Sequence, residues 1–158
     1  MEYQRNELLP LPASLHGRLG AVLGWAAQSA QEVANRALEP VGLTVKHFGV
    51  LTFIRREAES DSRGGSLSQQ AIGERLRIDR TTMVSLIDDL ERAGYVKRER
   101  NPDDRRAYAL TLTAAGMRAQ ARAEGAVDAH ALEFFGQLSE AERQELHRLL
   151  ARLIEPPE

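Results

Sequence analysis

The chain of 158 residues contains no cysteine, which removes disulfides, thiolate nucleophiles, thiol redox sensing and cysteine-ligated zinc in one step. Only histidines and carboxylates remain for metals, and His16, His47, His130 and His147 are scattered without the H-x-x-x-H spacing of a site on one helix. His130 and Glu133 form an i, i+3 pair that a metal could bridge, yet nothing in the sequence requires one, so surface or packing roles are expected and no metal. No run approaches the roughly 18 uninterrupted apolar residues of a membrane span. The opening stretch MEYQRNELLPLPASLHGRLG also lacks the basic and apolar regions of a signal peptide, so a cytoplasmic protein is expected. Neither a G-x-S-x-G nucleophile turn nor a glycine-rich phosphate loop occurs, so neither catalysis nor a cofactor is expected. There is no internal repeat.

What is present is the balance of an ordinary globular protein, 42% hydrophobic and 28% charged. The net charge of −2 hides an uneven distribution: residues 1–62 sum to −1, residues 63–112 to +2 and residues 113–158 to −3. Positive charge concentrates between Arg92 and Arg106, where Arg92, Lys97, Arg98, Arg100, Arg105 and Arg106 face only Glu99, Asp103 and Asp104.

Periodicity then divides the chain. Leu15, Leu19, Val22, Leu23, Ala26, Ala30, Val33, Ala34 and Ala37 recur at helical spacing and predict a long amphipathic helix stopped by Pro40 and Gly42. Thr44 is a plausible N-cap for a second helix with Phe48, Leu51 and Ile54 as its apolar stripe, and Glu59 to Ser66 reads as a loop. Ser68 opens the short helix QQAIGERL, Arg77 and Ile78 form a turn, and Asp79 opens RTTMVSLIDDLERA, with Gly94 suited to its left-handed end. YVKRER and RAYALTLT flank the turn formers NPDDR as a hairpin with a charged tip. Thr113 caps a further helix weakened by Gly116 and Gly125, whose glycines suggest bends. Ser139 and Glu142 form a capping box for a last leucine-rich helix ending at Pro156 and Pro157.

Two short helices joined by a tight turn and followed at once by a basic hairpin have the order and size of a winged helix-turn-helix. The helix that begins Asp79-Arg80-Thr81-Thr82 offers an arginine able to read guanine and threonine methyls able to touch thymine, while its apolar side serves a core.

The stretch LSQQAIGERLRIDRTTMVSLIDDLERAGYVKRERNPDDRRAYALTLTAAG resembles the centre of the MarR family of bacterial transcription regulators, and GLTVKHFGVLTFI resembles the helix leading into it. The resemblance implies a mainly α fold with a small two-stranded antiparallel β wing, a winged helix-turn-helix plus a terminal-helix dimerisation region. Residues 10–42 and 113–158 would be the dimerisation helices and residues 43–112 the DNA-binding domain. It implies a homodimeric repressor or activator on a pseudo-palindromic duplex DNA operator; of the two, a repressor released by a small aromatic or anionic effector is expected.

Residue by residue, the family's recognition helix falls on Asp79 to Arg92, making Arg80, Thr81, Thr82 and Ser85 candidates for base or phosphate contact, against a bland reading as helix caps. Ser68 and Gln69 resemble its phosphate-clamping helix start. The Asp-x-Arg motif before Leu-Thr falls on Asp104, Arg106, Leu112 and Thr113, so Arg106 is the expected minor-groove arginine, Asp104 its orienting partner and Arg105 a phosphate contact. Lys97, Arg98 and Arg100 lie on a strand whose alternation turns some of them away from DNA, and Arg98 is retained as a candidate contact. Trp25, His47 and Phe48 are the effector-pocket candidates, although a core or interface role is the default for a lone tryptophan. Two other classes remain open: a winged-helix module that binds a protein, and a metal-responsive regulator. The salt dependence of DNA binding separates the first and metal retention after dialysis the second.

Overall fold

A computed structural model describes residues 10–60, 68–100 and 108–154. Its elements are α1 (Leu19–Leu38), α2 (Val45–Ser60), α3 (Gln69–Leu76), α4 (Arg80–Arg92), β1 (Val96–Arg100), β2 (Tyr108–Leu112), α5 (Ala114–Phe135) and α6 (Glu140–Ile154). The expected mainly helical fold with one antiparallel hairpin is what the chain adopts. The long first helix starts later than its apolar spacing suggested, because Leu15 closes a separate 3-10 turn after Pro12. A second 3-10 turn at Glu39–Val41 ends on Gly42, whose φ of 72° reverses the chain. Glu59 and Ser60, expected in the loop, complete the last turn of α2, and the remainder of that loop lies outside the described residues.

Two compact units emerge. Asn35–Val127 forms one, and the described residues up to Ala34 and from Asp128 onward form the other, the divisions falling inside α1 and α5. The winged unit has a continuous core of Leu38, Leu43, Val50, Leu51, Ile54, Ile72, Met83, Leu86, Ile87, Leu90, Val96, Leu110 and Ala123. Helical spacing explains its members: Met83, Leu86, Ile87 and Leu90 repeat every three to four residues and so share one side of α4. The unit extends beyond residues 43–112, because Ala119 and Ala123 on α5 are fully buried in it. Gln120 beside them is also buried, and its amide is satisfied on both sides, accepting from Arg55 Nη1 at 2.5 Å and donating to Thr52 Oγ1 at 3.2 Å.

Local chemistry sets the helix ends. Ser68 Oγ accepts from Ala71 N at 3.1 Å, Thr113 Oγ1 from Gly116 N at 3.0 Å, and Ser139 and Glu142 make the reciprocal box at the start of α6. The α4 C-terminus closes through Gly94, at φ 72°, with Tyr95 N donating to Leu90 O at 2.9 Å. Gly116 and Gly125 mark no break, since α5 is continuous across both. Gly116 is instead a point of close approach, because a Cβ there would lie 2.0 Å from the Tyr95 carbonyl oxygen. Thr113 N donates to that same oxygen at 3.0 Å, so the start of α5 is held against the strand entry.

In the terminal unit, Phe134 and Phe135 stack edge to face with centroids 4.8 Å apart, and α6 has no buried residue. Leu149, Leu153 and Ile154 on that helix are exposed. No described helix is long and apolar enough to cross a membrane.

Candidate nucleic-acid interface

The interface begins at the helix-turn-helix. Arg77, between α3 and α4, adopts a left-handed φ of 53°, and Ile78 N donates to Gly73 O at 2.9 Å, so the chain reverses within a few residues. Gly73 makes this possible: a Cβ at that position would meet the Ile78 carbonyl at 3.2 Å and Met83 beyond it. Asp79 then caps α4, accepting from Thr82 N at 2.9 Å and from Thr82 Oγ1 at 2.6 Å. The Thr82 hydroxyl, and then its backbone N–H, hold the Asp79 carboxyl below its usual pKa, so the cap stays ionised.

These bonds sort the candidates on α4. Arg80, Thr81 and Ser85 are exposed on its outer face, whereas the hydroxyl of the half-buried Thr82 already donates its hydrogen bond to Asp79. Val84, whose apolar side chain gives no polar signal in the sequence, is 41% exposed beside them. It joins Gln69, Gln70, Arg77 and Arg80 in lining an open groove along α3 and α4. Ser68 is the α3 cap and also bridges to Ala109 of β2, so this helix start is fixed to the hairpin.

The hairpin pairs Val96 with Leu112, Lys97 with Thr111, Arg98 with Leu110, Glu99 with Ala109 and Arg100 with Tyr108. Its cations differ in their surroundings. Lys97 is paired with Glu99 on the same strand, Arg100 is exposed, and Arg98 turns back onto Asp88 and Glu91 of α4 instead of outward. Asp104, Arg105 and Arg106 lie outside the described residues.

The effector candidates are divided as well. Trp25 is half-buried on α1 in the terminal unit, while His47 and Phe48 belong to the winged unit, where Phe48 packs against the core. His47 occupies the third position of α2 and completes a capping box with Thr44: Thr44 N and Oγ1 donate to Nδ1 at 3.2 and 2.9 Å, and His47 N donates to Thr44 Oγ1 at 3.3 Å. With Nδ1 accepting, Nε2 carries the proton, buried without a hydrogen-bond partner and 3.8 Å from Asp89 Oδ2. Burial pushes the His47 pKa down, and the charge of Asp89 opposes it without prevailing. A sequence search for metal or ligand residues cannot anticipate a histidine where capping boxes normally carry glutamate or glutamine. Asn35, also unflagged by the sequence, adds a second cap by accepting from Val45 N at 2.8 Å. Among the described residues no cluster of three or more histidines and carboxylates is placed to hold a metal.

Comparison with known proteins agrees with this architecture. The profile of the MarR family matches residues 41–107. A Thauera aromatica protein named as a transcriptional regulatory protein for the hcr operon is 33% identical over 144 residues, covering 88% of this chain and 82% of that relative. The chain belongs to the MarR family. It is accordingly a transcription regulator of the MarR type. Among solved structures, the transcriptional repressor CouR bound to a 23-mer DNA duplex is 30% identical with a TM-score of 0.79, covering 90% of this chain and 96% of that one. CouR from Rhodococcus jostii RHA1 bound to p-coumaroyl-CoA is 25% identical with a TM-score of 0.73, covering 91% and 96%.

Proposed function

We propose that this MarR-family chain is a homodimeric repressor that binds duplex DNA and leaves it when a small aromatic or anionic effector binds. The observation that carries the reading is the outer face of α4, where Arg80, Thr81 and Ser85 stand exposed while the opposite side is committed to the core. A helix so divided offers its polar N-terminal half to a major groove. Ser68 and Gln69 then face the phosphate backbone from the start of α3, Thr82 contributes its methyl more than its hydroxyl, and Arg105 and Arg106, oriented by Asp104, reach the flanking backbone and minor groove. CouR, 30% identical, was solved on DNA, which supports this reading.

The dimer would be built from the terminal helices, where α6 leaves Leu149, Leu153 and Ile154 exposed among the described residues. The effector class follows from CouR with p-coumaroyl-CoA, a ligand with an aromatic acyl end and anionic phosphates. We assign the chain no catalytic step and place its action in the cytoplasm.

Enrichment of duplexes from a random-sequence pool tests the proposal. A pseudo-palindromic sequence should emerge, its affinity should fall linearly on a log scale with salt, and aromatic acids or their thioesters should release it. A pool that yields no sequence would rule the reading out.

A further inference from the structure

Arg98 sits third in β1, opposite Leu110. Its guanidinium spans two carboxylates of α4, with Nη2 donating to Asp88 Oδ1 at 2.7 Å and Nη1 donating to Glu91 Oε2. The Arg98 side chain is 28% exposed, less than either Asp88 or Glu91. Those acids are three residues apart and so stack one turn above the other on α4. Asp88 in turn lies one turn beyond Val84 and Ser85, so the clamp grips the helix that carries the candidate base-contacting residues.

A two-stranded ribbon is marginal by itself and needs anchoring. The base of this one is anchored by buried Val96 and Leu110. At and just beyond the level of Leu110 the strands are tied to the helix-turn-helix: β2 through the Ala109 bridge to Ser68, and β1 through Arg98. Arginine suits the second tie because its planar fork can serve two acceptors at once, which a lysine ammonium on a flexible stem does less well.

We propose that Arg98 is a positioning residue: it locks the wing to the recognition helix as one rigid reader, so that the two elements meet neighbouring grooves of the same duplex in register. The inference rests on the DNA-binding reading above. It makes an opposite prediction from the simpler idea that Arg98 contacts phosphate. If Arg98 touched DNA, removing the charges of Asp88 and Glu91 would free it and reduce repulsion, and binding would tighten. If Arg98 positions the wing, the same removal releases the wing and binding weakens.

The test uses the full chain and the duplex that the wild-type chain selects from a random pool, comparing wild type, R98M, R98K, D88N with E91Q, and all three of R98M, D88N and E91Q. R98M, and separately D88N with E91Q, should each weaken binding by about tenfold, while the triple variant should be no weaker than either, because all three side chains form one device. R98K should fall between wild type and R98M. Hydroxyl-radical footprints should lose protection at the outer flanks of each half-site and keep it at the centre, a pattern that general destabilisation does not produce. Should R98M fail to fold, D88N with E91Q, at positions more exposed than Arg98, carries the test alone. Equal or tighter binding by D88N with E91Q, losses that multiply in the triple variant, or flanks that stay protected would overturn the positioning role while leaving DNA binding intact. A wild-type chain that enriches no sequence would overturn the DNA reading and the positioning role with it.

Discussion

The winged unit and the terminal unit handle their apolar side chains in opposite ways. Among the described residues, the winged unit buries Val50, Leu51, Ile72 and Ile87 completely, whereas the terminal unit buries one hydrophobic side chain of comparable size, Val33. Leu19, Leu132, Leu153 and Ile154 in the terminal unit are between 60% and 81% exposed. The winged unit thus has a core of its own, while a terminal unit left in that condition in water would carry an unfavourable apolar surface. In the proposed homodimer a second copy covers that surface, so one unit reads DNA and the other sets where two readers stand.

The largest expected effect comes from attacking the terminal face. Leu149→Glu combined with Leu153→Glu should yield a monomer by light scattering and weaken binding to the selected duplex by about 100-fold or more, since the linked second half-site is lost. The winged unit should keep its fold, seen as retained amide-exchange protection in α4. A dimer that survives both changes would break the comparison.

Next in size is Gly116→Ala, in the winged unit. The new Cβ would collide with the Tyr95 carbonyl, and moving that backbone should cost about 2 kcal/mol, read as a lower midpoint in urea. Dimer mass should not change.

Gly116 also marks the boundary of what the sequence made legible. The caps at Ser68, Asp79, Thr113 and Ser139 were readable because donor and acceptor lie within three residues. The core stripe of α4 was readable because its period is local. The approach of Gly116 to Tyr95 is tertiary, so in sequence the glycine registers only as poor helix propensity. Arg98 illustrates the same limit at the candidate site: its type and strand suggested phosphate, but its acceptors lie seven and ten residues away on another element. Val84 was missed because residue type alone does not reveal an exposed valine on an otherwise polar helix face.

The smallest expected effect is a pH dependence confined to the winged unit. Because His47 has a lowered pKa in the folded chain, the unfolded chain binds the proton more readily. This contribution to stability is complete above the ordinary histidine value of 6.5, shrinks as pH falls below it, and levels off beneath the folded-state pKa. His47→Gln should keep the capping box, since glutamine suits that third position, and remove the titration. Melting curves from pH 8 to pH 5 should therefore match at the alkaline end and diverge on the acid side, with the wild type losing more.

The central claim, two winged units spaced by a terminal-helix dimer, is tested most directly by changing the spacing in the DNA. Half-sites for such a dimer repeat at about one helical turn, roughly 10 base pairs, so inserting half a turn between them places the second half-site on the opposite side of the duplex. Measured by titration calorimetry, the selected duplex should bind two chains together and the inserted duplex should lose that tight binding. One chain per duplex, or undiminished affinity after the insertion, would contradict the account.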